Sequence, residues 1–117
     1  MMNPHILLVD DDVSLLKLLS MRLEASGYTI SCAESAEVAL TLLNDKIDLL
    51  LTDLRMEGMD GMALFAIAQQ QYPKLPVVII TAHGSIPEAV TATQKGVFGF
   101  LTKPIDREQL MLTLQVH

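Results

Sequence analysis

The chain has one cysteine, no tryptophan and five tyrosines and phenylalanines among its 117 residues. A lone Cys32 excludes an internal disulfide, and the composition fits a reducing compartment, most simply the cytosol. In an apolar strand such a cysteine reads as a small core residue rather than a nucleophile. Basic residues are scarce: eight Lys and Arg stand against fourteen Asp and Glu, a net charge of −6. That balance argues against direct nucleic-acid binding, which needs Lys/Arg patches. No apolar run approaches the ~18 residues of a membrane span, and MMNPH does not open a signal peptide. The three histidines fall at a strand start, in a loop and at the terminus, so no transition-metal site is expected, and His5 and His83 read as structural. There is no nucleotide-binding glycine loop, basic recognition helix, repeat, low-complexity tract or linker. Half of the residues are hydrophobic, enough for a packed core, and the length suggests one domain over 1–117. With aromatics so few, Leu, Ile, Val and Met must fill that core.

Short apolar runs alternate with helical patterns. HILLVD (5–10), YTISCA (28–33), IDLLLTD (47–53), PVVIIT (76–81) and VFGFLT (97–102) read as strands. The first, third and fourth are nearly continuous hydrophobes, as in parallel strands buried on both faces. Helices are expected between them. The first runs from Val13 to about Ser26, with Leu15, Leu19 and Leu23 on one face and Gly27 as its stop. Ser35 caps the second, whose stripes are Val38/Leu42 and Ala39/Leu43. The third spans about Gly61 to Gln71, ending before Pro73. The fourth, about Pro87 to Lys95, is the weakest, because Thr91 and Thr93 are poor helix formers. The fifth starts near Asp106 and is still running at His117, as if cut short there. Five β–α units of this size imply an α/β fold, one doubly wound parallel sheet with helices on both faces.

Ligands of such sheets bind beyond the carboxyl ends of the strands, where the strand order switches. The first strand runs into Asp10, Asp11 and Asp12; the third ends at Asp53, the fourth at Thr81 and the fifth at Lys103. If the second strand is outermost, three carboxylates, a hydroxyl and an ammonium converge at one edge. Each feature has a plain reading alone: Asp12 as a helix cap, Asp53 as a turn residue, Lys103 as a solvated charge. Their joint placement is harder to dismiss. Adjacent carboxylates repel, and an oxygen-only donor set without His or Cys suits a hard cation, most plausibly Mg²⁺, which would offset that repulsion and leave room for a phosphoryl group.

VDDD after an apolar strand, LLLTDLRMEGMDG, VVIITAHGS and FGFLTKP resemble, in order and spacing, the receiver domain of two-component response regulators. TDLRMEGMDGM and TAHGSIPEAVTATQKGVFGFLTKP resemble most the receivers of NtrC-type, sigma-54-dependent transcription activators. The resemblance covers essentially the whole chain and implies a flavodoxin-like (βα)5 fold with strand order 2-1-3-4-5. It implies that Asp53 accepts a phosphoryl group from a sensor histidine kinase. Asp10, Asp11, Asp53 and the backbone carbonyl of Arg55 would hold Mg²⁺. Thr81 and Lys103 would contact the phosphoryl group, and the Lys103–Pro104 bond is a candidate for the cis form. Thr81 and Phe100 would form a switch, with the fourth helix as the movable element. The chain would be a phosphoacceptor that assists its own phosphoryl transfer and slow dephosphorylation, not an enzyme acting on a separate substrate. It would dimerise through the fourth and fifth helices and act on DNA only through an output domain outside this sequence. It departs from the family in two places. Glu57 stands where many receivers have Pro, which is expected to alter loop stiffness without abolishing phosphorylation. Phe100, lacking a hydroxyl, can switch only by packing. A phosphatase of the haloacid dehalogenase type would need Asp, not Arg55, two residues after Asp53, and a flavin-phosphate site would be repelled by DDD. A pseudo-receiver, binding partners without phosphorylation, is the alternative.

Overall fold

The computed structural model describes residues 3–82 and 86–115. Ten elements alternate along them: β1 (His5–Val9), α1 (Val13–Ala25), β2 (Thr29–Ala33), α2 (Ala36–Leu42), β3 (Leu49–Asp53), α3 (Gly61–Gln71), β4 (Val77–Thr81), α4 (Ile86–Gln94), β5 (Gly99–Thr102) and α5 (Arg107–Gln115). The strands form one parallel sheet in the order β2-β1-β3-β4-β5, the flavodoxin-like arrangement with the second strand outermost. Every residue of β3 and β4 is buried, as continuous hydrophobic strands require when both faces are covered.

Strand periodicity divides the core in two. Leu7, Leu50 and Ile79 point into one layer with Ala36 and Ala39 of α2 and Leu64, Phe65 and Ala68 of α3. Leu8, Leu51 and Ile80 point into the other, against Leu16, Leu19 and Leu23 of α1 and Leu110 and Leu114 of α5. Each fully buried leucine contributes roughly 1.5–3 kcal/mol through removal from water.

Several local expectations change. The buried stripe of α1 is Leu16, Leu19 and Leu23, with Leu15 only partly buried; adjacent leucines make either face apolar, and the approach to the sheet selects one. In α2 the outward Val38 and Leu42 are 44% and 37% exposed. The other expected stripe, Ala39 and Leu43, does face the sheet, joined by Ala36. Cys32 is exposed, not a core residue: it lies on the face of Ile30 and Leu8, but β2 is the edge strand and its end is left uncovered. The second and fifth strands begin later than their apolar runs, because two N–H groups serve helix ends. Tyr28 N–H donates to Leu23 O and Val97 N–H to Ala92 O, closing α1 and α4 around Gly27 and Gly96, both at positive φ. The expected run of α5 to His117 and the structural reading of His83 concern residues outside those described.

Candidate functional site

The switch in strand order falls between β1 and β3, since β2 lies beyond β1 on one side and β3 begins the other half. A crevice therefore opens at their carboxyl ends. Asp10 follows β1, tied by its own N–H to Ala33 O of β2 at 3.1 Å. Asp53 closes β3 in register with Ile80 of β4. Thr81, the last residue of β4, is fully buried one position beyond that pair. The Lys103 N–H donates to Thr81 O at 2.9 Å, which brings the lysine over the same edge, and the Lys103–Pro104 peptide is cis.

Side chains complete the convergence. Asp10, Asp11 and Asp53 each offer a carboxylate oxygen, and these lie within 4.8 Å of one another. Lys103 Nζ reaches Asp10 Oδ2 at 3.0 Å and Asp53 Oδ1 at 3.5 Å. Asp10 Oδ1 accepts the Asp12 N–H at 2.9 Å, which orients the buried carboxylate. Asp12 takes no part in the cluster: its Oδ1 accepts the Leu15 N–H at 3.2 Å as the cap of α1. The sequence DDD thus resolves into two cluster members and one cap. Arg55 contributes no side chain to the crevice; its guanidinium pairs with Glu88 Oε2 of α4 at 2.9 Å. Phe100 is half-buried in β5 and lines a groove of about 280 Å³ between α3 and α4 with Leu54, Met62 and Ala92. His5 stays structural, with Nε2 at 2.7 Å from Ser31 Oγ.

The charge is unbalanced. One ammonium faces three carboxylates, two of them nearly inaccessible. Burial foremost, and the Asp10 charge next, push the Asp53 carboxyl above its ordinary range; Lys103 pulls it back only in part. Burial works against the Lys103 charge, yet its hydrogen bond and attraction to Asp10, then Asp53, outweigh burial and hold the ammonium above its usual range. An oxygen-only set of this spacing, short of positive charge, fits a hard divalent cation that keeps several waters.

One residue of the site has no reading in the sequence beyond a helix start. Gly61 lies so close to the end of β3 that a Cβ there would meet Asp53 O at 2.3 Å and Leu54 Cα at 3.0 Å. Its N–H donates to Leu54 O at 2.8 Å. Residues 55–60 thus leave and rejoin the strand end through a narrow neck, and only glycine permits it.

The family model described as the response regulator receiver domain matches residues 6–115. The chain is 59% identical over 107 residues to the transcriptional regulatory protein GlrR of Escherichia coli strain K12, covering 91% of this chain and 24% of GlrR. It is 42% identical over 108 residues to the DNA-binding transcriptional regulator NtrC of the same strain, covering 92% of this chain and 23% of NtrC. It therefore spans about a quarter of the length of these curated relatives. Among solved structures, the signal receiver domain of a LuxO repressor protein from Vibrio parahaemolyticus superposes with a TM-score of 0.91 at 32% identity, covering 99% of this chain and 90% of that one.

Proposed function

Because the chain belongs to the response regulator receiver domain family, we propose that it is the phosphorylation-controlled input of an NtrC-type, GlrR-like regulator, with Asp53 as the phosphoacceptor. The observation that carries this reading is the meeting of Asp10, Asp11 and Asp53 within 4.8 Å beside the Lys103 ammonium. Asp10, Asp11, Asp53 and the Arg55 backbone carbonyl would hold Mg²⁺. When bound, the ion would supply positive charge to the phosphoryl oxygens and neutralise part of the cluster.

Asp53 Oδ attacks the phosphorus of a phosphohistidine on a sensor kinase. The O–P bond forms as the P–N bond breaks, and the imidazole leaves with its electron pair. Lys103, already within 3.5 Å of Asp53, compensates the charge that rises as a carboxylate becomes an acylphosphate. Such catalysis is positioning plus electrostatics, with the charges in place beforehand. The Thr81 hydroxyl donates to a phosphoryl oxygen. Its turn toward that oxygen vacates space into which Phe100 moves, and the surface of α4 changes with it. The groove beside Phe100 and the threonines of α4 suit a small rearrangement at low cost.

Exposed Val90 on α4 and Leu112 on α5 suit self-association of that face in a homodimer. With a net charge of −6, this segment does not touch DNA; an ATPase and DNA-binding output elsewhere in the protein does. Among the described residues no helix is long and apolar enough to cross a membrane, consistent with a cytoplasmic setting. Intact mass after incubation with Mg²⁺ and phosphoramidate tests the reading. Wild type should gain one phosphoryl group, and Asp53→Ala or chelation should prevent it. No gain in wild type would favour the pseudo-receiver.

A further inference from the structure

The loop between β3 and α3 carries the Arg55 carbonyl assigned above to the metal, and here it has Glu57 and Gly58 near its tip rather than a stiffening proline. Its neck is closed at Leu54 and Gly61, but a neck does not fix the direction of a carbonyl inside the loop. Among the described residues, two side-chain bonds tie residues 55–59 to neighbouring helices. One is the Arg55–Glu88 ion pair, whose side chains are 57% and 38% exposed, a class of pair worth little in water. The other comes from α2: Glu37 Oε2 accepts the Met59 N–H at 3.3 Å. The same oxygen sits where a Cβ on Gly58 would come within 3.1 Å of it, and Gly58 holds φ at +79°. Glu37 therefore packs against the left-handed glycine and binds the next amide. The loop is gripped at the one point where its backbone is freest.

We propose that Glu37 is a positioning residue for the acceptor site: it anchors the loop from α2 and so holds the Arg55 carbonyl in the direction Mg²⁺ requires. The inference rests on the metal site of the preceding section. Mg²⁺ demands near-octahedral oxygens at short distance. A loop that samples other directions is competent only part of the time, and apparent affinity falls by that fraction. Glu37 lies in the first turn of α2, so its carboxylate is also compatible with the helix end, and the test must separate anchoring from charge and from helix stability.

The test is a Mg²⁺ titration of the whole chain at fixed ionic strength, by calorimetry or amide shifts, with a thermal midpoint for each variant. Glu37→Ala should weaken Mg²⁺ binding about threefold to tenfold, the scale of one ordinary solvent-exposed hydrogen bond lost from the loop. Glu37→Gln loses the charge but keeps an oxygen acceptor, and should stay within about twofold of wild type. Val38→Ala, exposed on the same helix, should alter the midpoint without altering the dissociation constant. Equal binding by Glu37→Ala and wild type overturns the proposal, as does a Glu37→Gln loss as large as that of Glu37→Ala. If wild type itself binds no Mg²⁺ in a manner sensitive to Asp53→Asn, the metal reading fails first and this inference falls with it.

Discussion

Asp53→Asn should make the metal-free domain more stable, although it removes the proposed phosphoacceptor. Asp53 faces Asp10 and Asp11 with oxygens within 4.8 Å, and Lys103 at 3.5 Å. At an effective dielectric near 20, Asp10 repels by about 3.5 kcal/mol or more, exposed Asp11 by about half that after screening by water, and Lys103 attracts by about 5 kcal/mol, leaving a net cost to the charge below about 1 kcal/mol. Burial adds to that cost. Asparagine keeps the shape and an oxygen for Lys103 while removing the charge, so a gain of about 1–3 kcal/mol is expected at neutral pH, or roughly 3–12 °C in thermal midpoint for a chain of this size. Urea unfolding in EDTA, across pH, is the assay. Because the folded carboxyl titrates above its ordinary value, the contribution of Asp53 to stability is fully present below the ordinary carboxylate pKa of about 3.9 and is lost as pH rises through the raised value. The gap between variant and wild type should therefore be small in acid and open toward neutrality. Saturating Mg²⁺ should narrow or reverse it, since only wild type gains fully from binding. Equal or lower stability of Asp53→Asn at pH 7 in EDTA would refute the reasoning.

Gly61→Ala should cost about 2–4 kcal/mol in urea unfolding, because backbone atoms at 2.3 and 3.0 Å leave no flexible neighbour to yield, and it should slow phosphorylation by phosphoramidate. Asp12→Ala should lose about 1 kcal/mol as a missing cap while Mg²⁺ affinity stays within about twofold, separating it from Asp10 and Asp11. Lys103→Ala should keep or strengthen Mg²⁺ binding, since it removes a positive charge from the cluster, yet greatly weaken phosphoryl-dependent amide shifts over residues 86–100. Without metal it should destabilise the fold. That contribution of Lys103 is full below the ordinary lysine pKa and lost only as pH rises through its raised value, so wild type and variant should converge in strong alkali.

The parts of the fold readable from residues alone were those with one solution. LLLTD and VVIIT can be buried only on both faces, and the edge where Asp10, Asp53, Thr81 and Lys103 gather follows from parallel strands ending together. The helix faces were less legible. In AEVALTL, two stripes are nearly equal in hydrophobicity, and the close approach of α2 to the sheet prefers Ala36 and Ala39 to the larger Val38 and Leu42. Four leucines in VSLLKLLS leave the register of α1 to tertiary packing. Cys32 is exposed because β2 is an edge, a property of the whole sheet. Gly61 and Glu37 matter through contacts with segments 8 and 22 residues away, Asp53 and Met59, and no local pattern announces such contacts.

The central claim is that Asp53 is the group phosphorylated. After reaction with Mg²⁺ and phosphoramidate, tryptic mapping should place the phosphoryl group on residues 47–55, with fragment ions at Asp53 and release by hydroxylamine, as an acylphosphate requires. A label on any other residue, or one on Thr52 that resists hydroxylamine, would contradict the account.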